Sequence, residues 1–271
     1  MKKVLYTFLF VASLAIFSSC SSDNSTNPTT TGKPLPLSQG NYWVYENYTL
    51  DSTNNRVASS LTIDSTYITQ TFIEDVLTNK GVTVYESETK NSGTQIKTST
   101  RYYSNDNGIY QKFTSIPGFP SDLFGLKIGD MINIGWILYV DLKNANWVSF
   151  PEQSISIDSI NIPNAGNISL TLKYSMSGSK GTTKQFTING KTYTGQGYNT
   201  NIKITGTVKL LDIPILPPVP ISEINVPTTL YYVDGIGLVY SKSSSFKVSI
   251  STFFNQTFEG TERNLIRFNV K

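Results

Sequence analysis

Apolar side chains in this chain recur at every second residue, in short runs closed by Gly, Asn, Asp and Ser. That period is the pattern of a strand with one face against a core and one against water. Phe246, Val248 and Ile250 alternate with Lys247 and Ser249. Leu61 and Ile63 alternate with Thr62 and Asp64, and Trp43 and Tyr45 share one face while Tyr42 and Val44 share the other. Val82, Val84 and Glu86 continue the style after a turn expected at 79–81. The stretches 185–188 and 191–194 flank Asn189-Gly190, which supplies the positive φ angles of a type I′ hairpin turn. Tyr102-Tyr103 pairs with Ile109-Tyr110 across 104–108, and 231–233 with 238–240 across Asp234-Gly235-Ile236-Gly237. Ile202 and Ile204, then Val208 and Leu210, predict a strand pair turning at Gly206, and 265–270 predicts the last strand.

Helix signals are few. Residues 72–77 fit a short helix or a strand equally well, and 120–124 fits a single helical turn. Two segments break the strand rhythm with proline among apolar side chains: 114–127, and 211–227 with five prolines. Proline cannot donate to a ladder, so the second run predicts an extended connection, an edge or a lid over an apolar cavity, and marks a sub-boundary. The fold class expected is all-β with few short helices: an antiparallel curved sheet, as an open or half barrel, or a β-sandwich.

The chain opens with Lys2 and Lys3, an apolar run over 5–17, then Ser18, Ser19 and its only cysteine, Cys20. That order is a secretory leader. The cysteine at its end resembles the lipobox of bacterial lipoproteins, which implies a signal peptide at 1–19 and lipidation (palmitate) of Cys20. Residues 20–34 read as a disordered tether, because 21–33 has no apolar side chain except Pro28. Residues 35–271 are then the β-rich globular part. By the same resemblance Ser21 favours the outer membrane, with the periplasmic or cell-surface face left open.

Composition removes several functions. Lys and Arg number 22 against 19 Asp and Glu, and two of the basic residues belong to the leader, so the mature body is nearly neutral and lacks the basic patch of a nucleic-acid binder. There is no histidine, so Ser-His-Asp and Cys-His catalysis and zinc sites built on His or a cysteine cluster are excluded. No cofactor or metal is expected. The carboxylates are scattered, and no pair stands out as the acid and base of a glycosidase.

Four islands resemble poorly characterised bacterial envelope lipoproteins, including TapB-like ones: Pro36 to Tyr45 (Pro-Leu-x-x-Gly-Asn-x-Trp-x-Tyr), Gly108-Ile109-Tyr110, residues 126–130 (Leu-Lys-Ile-Gly-Asp) and residues 231–239. The resemblance implies a curved antiparallel sheet such as the unclosed barrel of lipoprotein carriers, and it carries over no catalytic residue. Asp-Ser steps at Ser52, Ser65 and Ser159 resemble the O-glycosylation acceptors of Bacteroidota-like bacteria, although Asp-Ser is also common in turns. The function expected is a non-catalytic envelope protein, anchored to the membrane by lipid and binding an apolar ligand or an envelope partner. A surface glycan binder, using some of the 16 Tyr and 3 Trp, and a purely structural component are the alternatives.

Overall fold

In a computed structural model, residues 33–93, 97–113, 134–162, 166–212, 215, 217–250 and 254–271 are described. The leader, Cys20 and nearly all of the expected tether lie outside them, as do 114–127 and the island at 126–130. Lys33, at the tether's end, is tied down: its carbonyl accepts from Gly235 N at 3.1 Å.

Among the described residues fourteen strands follow one another: β1 (Tyr42–Leu50), β2 (Thr62–Val76), β3 (Asn79–Asn91), β4 (Lys97–Ser104), β5 (Gly108–Phe113), β6 (Gly135–Asp141), β7 (Asn146–Ile162), β8 (Gly166–Ile188), β9 (Lys191–Leu210), β10 (Val219–Val233), β11 (Gly237–Ser243), β12 (Phe246–Ile250), β13 (Phe254–Phe258) and β14 (Gly260–Asn269). Helix among the described residues is limited to one 3-10 turn, Ala58–Ser60. Twelve strands form one antiparallel sheet in the order β6-β5-β4-β3-β2-β1-β14-β11-β10-β9-β8-β7, and β12 and β13 form a separate hairpin. The all-β, curved-sheet expectation holds, in its barrel form.

The two edge strands, β6 and β7, are neighbours in sequence. The turn 142–145 joins them, and Asp141 caps it by accepting from Lys143 N and Asn144 N at 2.8 Å each. The sheet is thereby nearly closed into a barrel. Its curl brings Phe113 of β5 and Ile137 of β6 against Phe150, Leu170, Met176, Ile204 and Val226 of β7–β10, with Phe246 and Val248 of β12 completing that cluster. Burial of this apolar surface is the main term holding the fold, at roughly 25 cal/mol per Å² removed from water.

The hairpins expected at 104–108, 189–190 and 234–237 all form, and Asn189 and Gly190 take φ of 51° and 74°. Other readings are corrected. Residues 72–76 extend β2, the strand of the two alternatives, and the chain reverses at Leu77-Thr78 rather than at 79–81, with Val76 facing Asn79. Leu61 is 45% exposed while Asp64 is buried, so polar contacts rather than the apolar alternation orient the start of β2. Gly206 does not turn the chain: β9 runs straight through it. A Cβ there would lie 2.3 Å from the Thr171 carbonyl oxygen, so the glycine serves close approach to β8.

The proline-rich run is resolved by strand accounting. Residues 219–227 pair only with β9, because pairing to β11 begins at Thr228. Pro220 faces Thr207 and Pro227 faces Asn201, and a bulge between Ile221 and Ile224 absorbs one residue between them. Both prolines therefore aim their nitrogens the same way. Pro227 O accepts from Ser244 N at 3.1 Å, so that way is away from β9. This half of β10 is a local edge, as proline requires, but it is part of the main sheet and not a connection or lid.

A tyrosine-lined interior as candidate functional site

Two side chains of β1 reach across to the β10–β11 turn. Trp43 Nε1 donates to Ile236 O at 2.5 Å, and Tyr45 Oη donates to Leu238 O at 2.9 Å. Gly237, at φ 108°, makes room for the indole: a Cβ there would stand 3.2 Å from Nε1. Asn41 fixes the entry to β1, donating to Pro36 O at 2.9 Å and accepting from Lys271 N at 3.0 Å. Leu35, Ile109, Tyr232 and Leu238 share one apolar cluster. Three of the four islands noted in the sequence thus meet.

Around this junction the sheet gathers tyrosines from five strands: Tyr45, Tyr102, Tyr139, Tyr198 and Tyr232. The Tyr232 hydroxyl feels those of the other four, and burial pushes it far above its ordinary value. Burial also raises Tyr45 and Tyr139. Tyr198 is pushed up to about 12 by burial and by the charges of Asp234 and Asp141. Tyr102 is raised by burial, moderated by Arg263, Ser87 and Thr100. At neutral pH all five are hydrogen-bond donors. Tyr198 packs edge-on against Trp147 and Tyr232, at 6.4 and 6.1 Å between centroids, and Tyr139 tilts against Phe113 at 5.6 Å. None of these hydroxyls is among the buried polar atoms left without a partner, which among the described residues are Ser104 Oγ, Asn201 Oδ1, Arg263 Nε and Asn264 Nδ2. Tyr102 and Tyr139 are half-buried, and Tyr198 and Tyr232 are buried.

Arg263 of β14 borders the cluster. Its guanidinium lies 4.3 Å over the Tyr45 ring, and its Nε is 3.4 Å from Asp64 Oδ2. Asp64 Oδ1 accepts from Asn91 Nδ2 at 2.6 Å. Arg263 Nη2 reaches Thr66 Oγ1 only at 3.4 Å, and Nε is buried without an acceptor in hydrogen-bond geometry among the described residues. The cation is charge-compensated but short of acceptors.

Two glutamates meet elsewhere. Arg101 bonds both Glu74 and Glu86, and Glu74 also accepts from Lys112 at 2.9 Å and Trp136 Nε1 at 3.4 Å. Burial pushes both carboxyls up, but their hydrogen bonds and the neighbouring cations outweigh it and hold both below the usual carboxylate range. A glycosidase acid is raised instead. Asp234 is raised by burial. For the glycan reading, Tyr67 is exposed beside Tyr42, their rings 5.7 Å apart and tilted by 35°.

The three Asp-Ser serines fall in different settings. Ser52 is exposed in a turn whose Asp51 accepts from Thr53 N and Asn55 N. Ser159 is exposed at a bulge of edge strand β7, with φ 62°. Ser65 is half-buried in mid-sheet, paired to Val44 and Lys90. Sequence reading did not single out the tyrosine cluster or Arg263. Their only sequence signal is residue type in a strand, and which face each occupies depends on bulges that periodicity does not reveal.

No family model matches the chain, and no curated protein matches it. Two solved structures are similar at low identity. One, from Parabacteroides distasonis, is described as a candidate lipoprotein: TM-score 0.43, 15% identity, covering 88% of this chain and 99% of that one. The other, from Bacteroides fragilis, is described as a candidate exported protein with a YmcC-like fold: TM-score 0.37, 9% identity, covering 88% and 99%.

Proposed function

We propose that this chain is a lipid-anchored protein of the bacterial outer membrane, fastened through Cys20, whose nearly closed sheet binds an apolar ligand inside without chemical turnover. The anchor rests on the leader and its terminal cysteine. The binding reading rests on one observation: the nearly closed sheet turns tyrosines from five strands onto one interior cluster beside the apolar group of Phe113, Ile137 and Phe150. Hydroxyls set among hydrocarbon give such an interior an apolar wall with polar handles, the make-up of a small-molecule site.

The test is mass spectrometry of the full chain from its native host, purified from membranes in mild detergent and extracted with organic solvent. A near-stoichiometric apolar molecule is the expected result. An extract holding only the detergent and the covalent acyl chains supports a purely structural role instead. Labelled palmitate should enter the wild type and not Cys20→Ala, and label retained in that variant would overturn the anchor.

A further inference from the structure

We infer that the β2–β3 hairpin is a second, non-covalent membrane contact, which lays Ile73 and Leu77 of its tip into the bilayer that the Cys20 acyl chains enter. The inference rests on the anchor proposed above and is independent of the interior. β1 pairs with β2 only as far as Tyr67, and β4 pairs with β3 only from Tyr85 onward. Among the described residues, 70–76 and 79–84 therefore pair only with each other. They form a two-stranded arm that runs on past both neighbouring ladders. One face of the arm is covered. Val76 and Val84 are buried with Tyr110, Phe72 and Val82 pack against them, and Glu74 is held by Arg101 and Lys112. The opposite face is bare, with Ile73 71% exposed and Leu77 52%. The charges beside them, Asp75 and Lys80, cancel as a pair at 3.1 Å.

Single exposed apolar side chains are ordinary on a protein surface. Leu77 is not, because its φ of 51° is the left-handed backbone that favours glycine or asparagine and works against a leucine. The leucine is thus kept at the turn against local stability. The direction of the arm sets what the pair meets. The chain enters β1 beside the arm's base, where Gly40 N donates to Ile68 O and Gln39 Nε2 to Thr69 O, each at 3.0 Å. From Thr69 the strand runs about 26 Å to Leu77, at about 3.3 Å per residue. The steps from Cys20 to Lys33 span at most about 45 Å. A body held by this end on so short a leash brings the tip to the lipid before its other end, where Ser52 lies in the turn after β1. Two side chains add little to the retention that covalent acyl chains supply. What they fix is which end of the body faces the membrane.

The experiment uses the full lipidated chain in phosphatidylcholine vesicles. Cys20 is the chain's only cysteine, and once acylated it leaves no free thiol. Thr78→Cys at the exposed tip, or Ser52→Cys at the other end, then takes one environment-sensitive fluorophore, and spin-labelled lipid is the quencher. Emission at 78 should be quenched severalfold more than at 52, and adding Ile73→Ser with Leu77→Asn should remove the excess. Leu77→Asn alone should raise Tm by about 1–2 °C, because asparagine tolerates this backbone better. Equal quenching at the two sites, or an excess that survives the double change, overturns this inference and leaves the anchor standing. A lowered Tm in Leu77→Asn gives the leucine a place in the fold and also overturns it. Emission at 78 that shifts with protein density and ignores the lipid quencher identifies a second copy as the occupant and does the same. A chain that the vesicles do not retain overturns the anchor and this inference together.

Discussion

Replacing Tyr232 by Phe separates a core that tolerates a penalty from one that is merely well packed. The ring stays in place, edge-on to Tyr198 at 6.1 Å, and only the hydroxyl is lost. At Tyr45 the same change removes a bond to the Leu238 carbonyl, 2.9 Å away, and orphans that acceptor. The expected loss there is about 1 kcal/mol, the usual net worth of such a bond. At Tyr232 burial drives the pKa far upward, and no hydrogen bond is among the causes that set it. Removing it recovers part of a desolvation cost of about 1–3 kcal/mol, so a gain of about 1 kcal/mol is expected after some dispersion is lost. For a chain of this size that is about 2–4 °C in Tm. Urea and thermal unfolding of ligand-stripped protein, wild type against the two variants, would measure it. A Tyr232→Phe protein as destabilised as Tyr45→Phe would refute the reasoning, because the hydroxyl would then have a stabilising partner.

Alkaline stability follows from the same cluster. Tyr45, Tyr139, Tyr198 and Tyr232 are raised, so the folded state keeps protons that the unfolded chain releases above about pH 10. Their contribution is complete below that pH and is lost as pH rises through the folded values, about 12 for Tyr198. The urea midpoint should therefore fall across that window as tyrosinate absorbance appears; a midpoint that does not move would contradict it. Gly206→Ala should cost about 1–3 kcal/mol, because β8 and β9 must part to admit a methyl group 2.3 Å from Thr171 O; a denaturation midpoint equal to wild type would show that the strands part freely. If the native host glycosylates the chain, Ser52→Ala and Ser159→Ala should each reduce intact mass by one glycan, while Ser65→Ala, in mid-sheet, should lose only its oxygen; a glycan on Ser65 would contradict the pairing of β1, β2 and β3.

Much of the fold was legible because local chemistry decided it. Asn189-Gly190 turns where expected, and Phe246 and Val248 face the core as their alternation requires. Errors arose where tertiary contacts overrode the local signal. Gly206 has turn chemistry but answers to a neighbouring carbonyl, and Pro220 and Pro227 enter the main sheet because one side of β10 is open there. Asp64 breaks the alternation because Asn91 and Arg263 satisfy it. The candidate site was the least legible part. Its tyrosines come from five strands spread between residues 45 and 232, and only strand order and bulge positions place them on one face.

Pairing of β1 with β14 sets the schedule of folding. Tyr42 lies opposite Asn269, and the Trp43 indole is anchored at a carbonyl 193 residues along the chain. A ribosome delivers the start of this ladder well before its counterpart, so one flank of the opening strand stays vacant until β14 emerges. Loop closure over that span is slow, so this ladder forms late. For the export proposed above, a polypeptide that lingers in this loosened condition is well suited to threading through a narrow translocation pore.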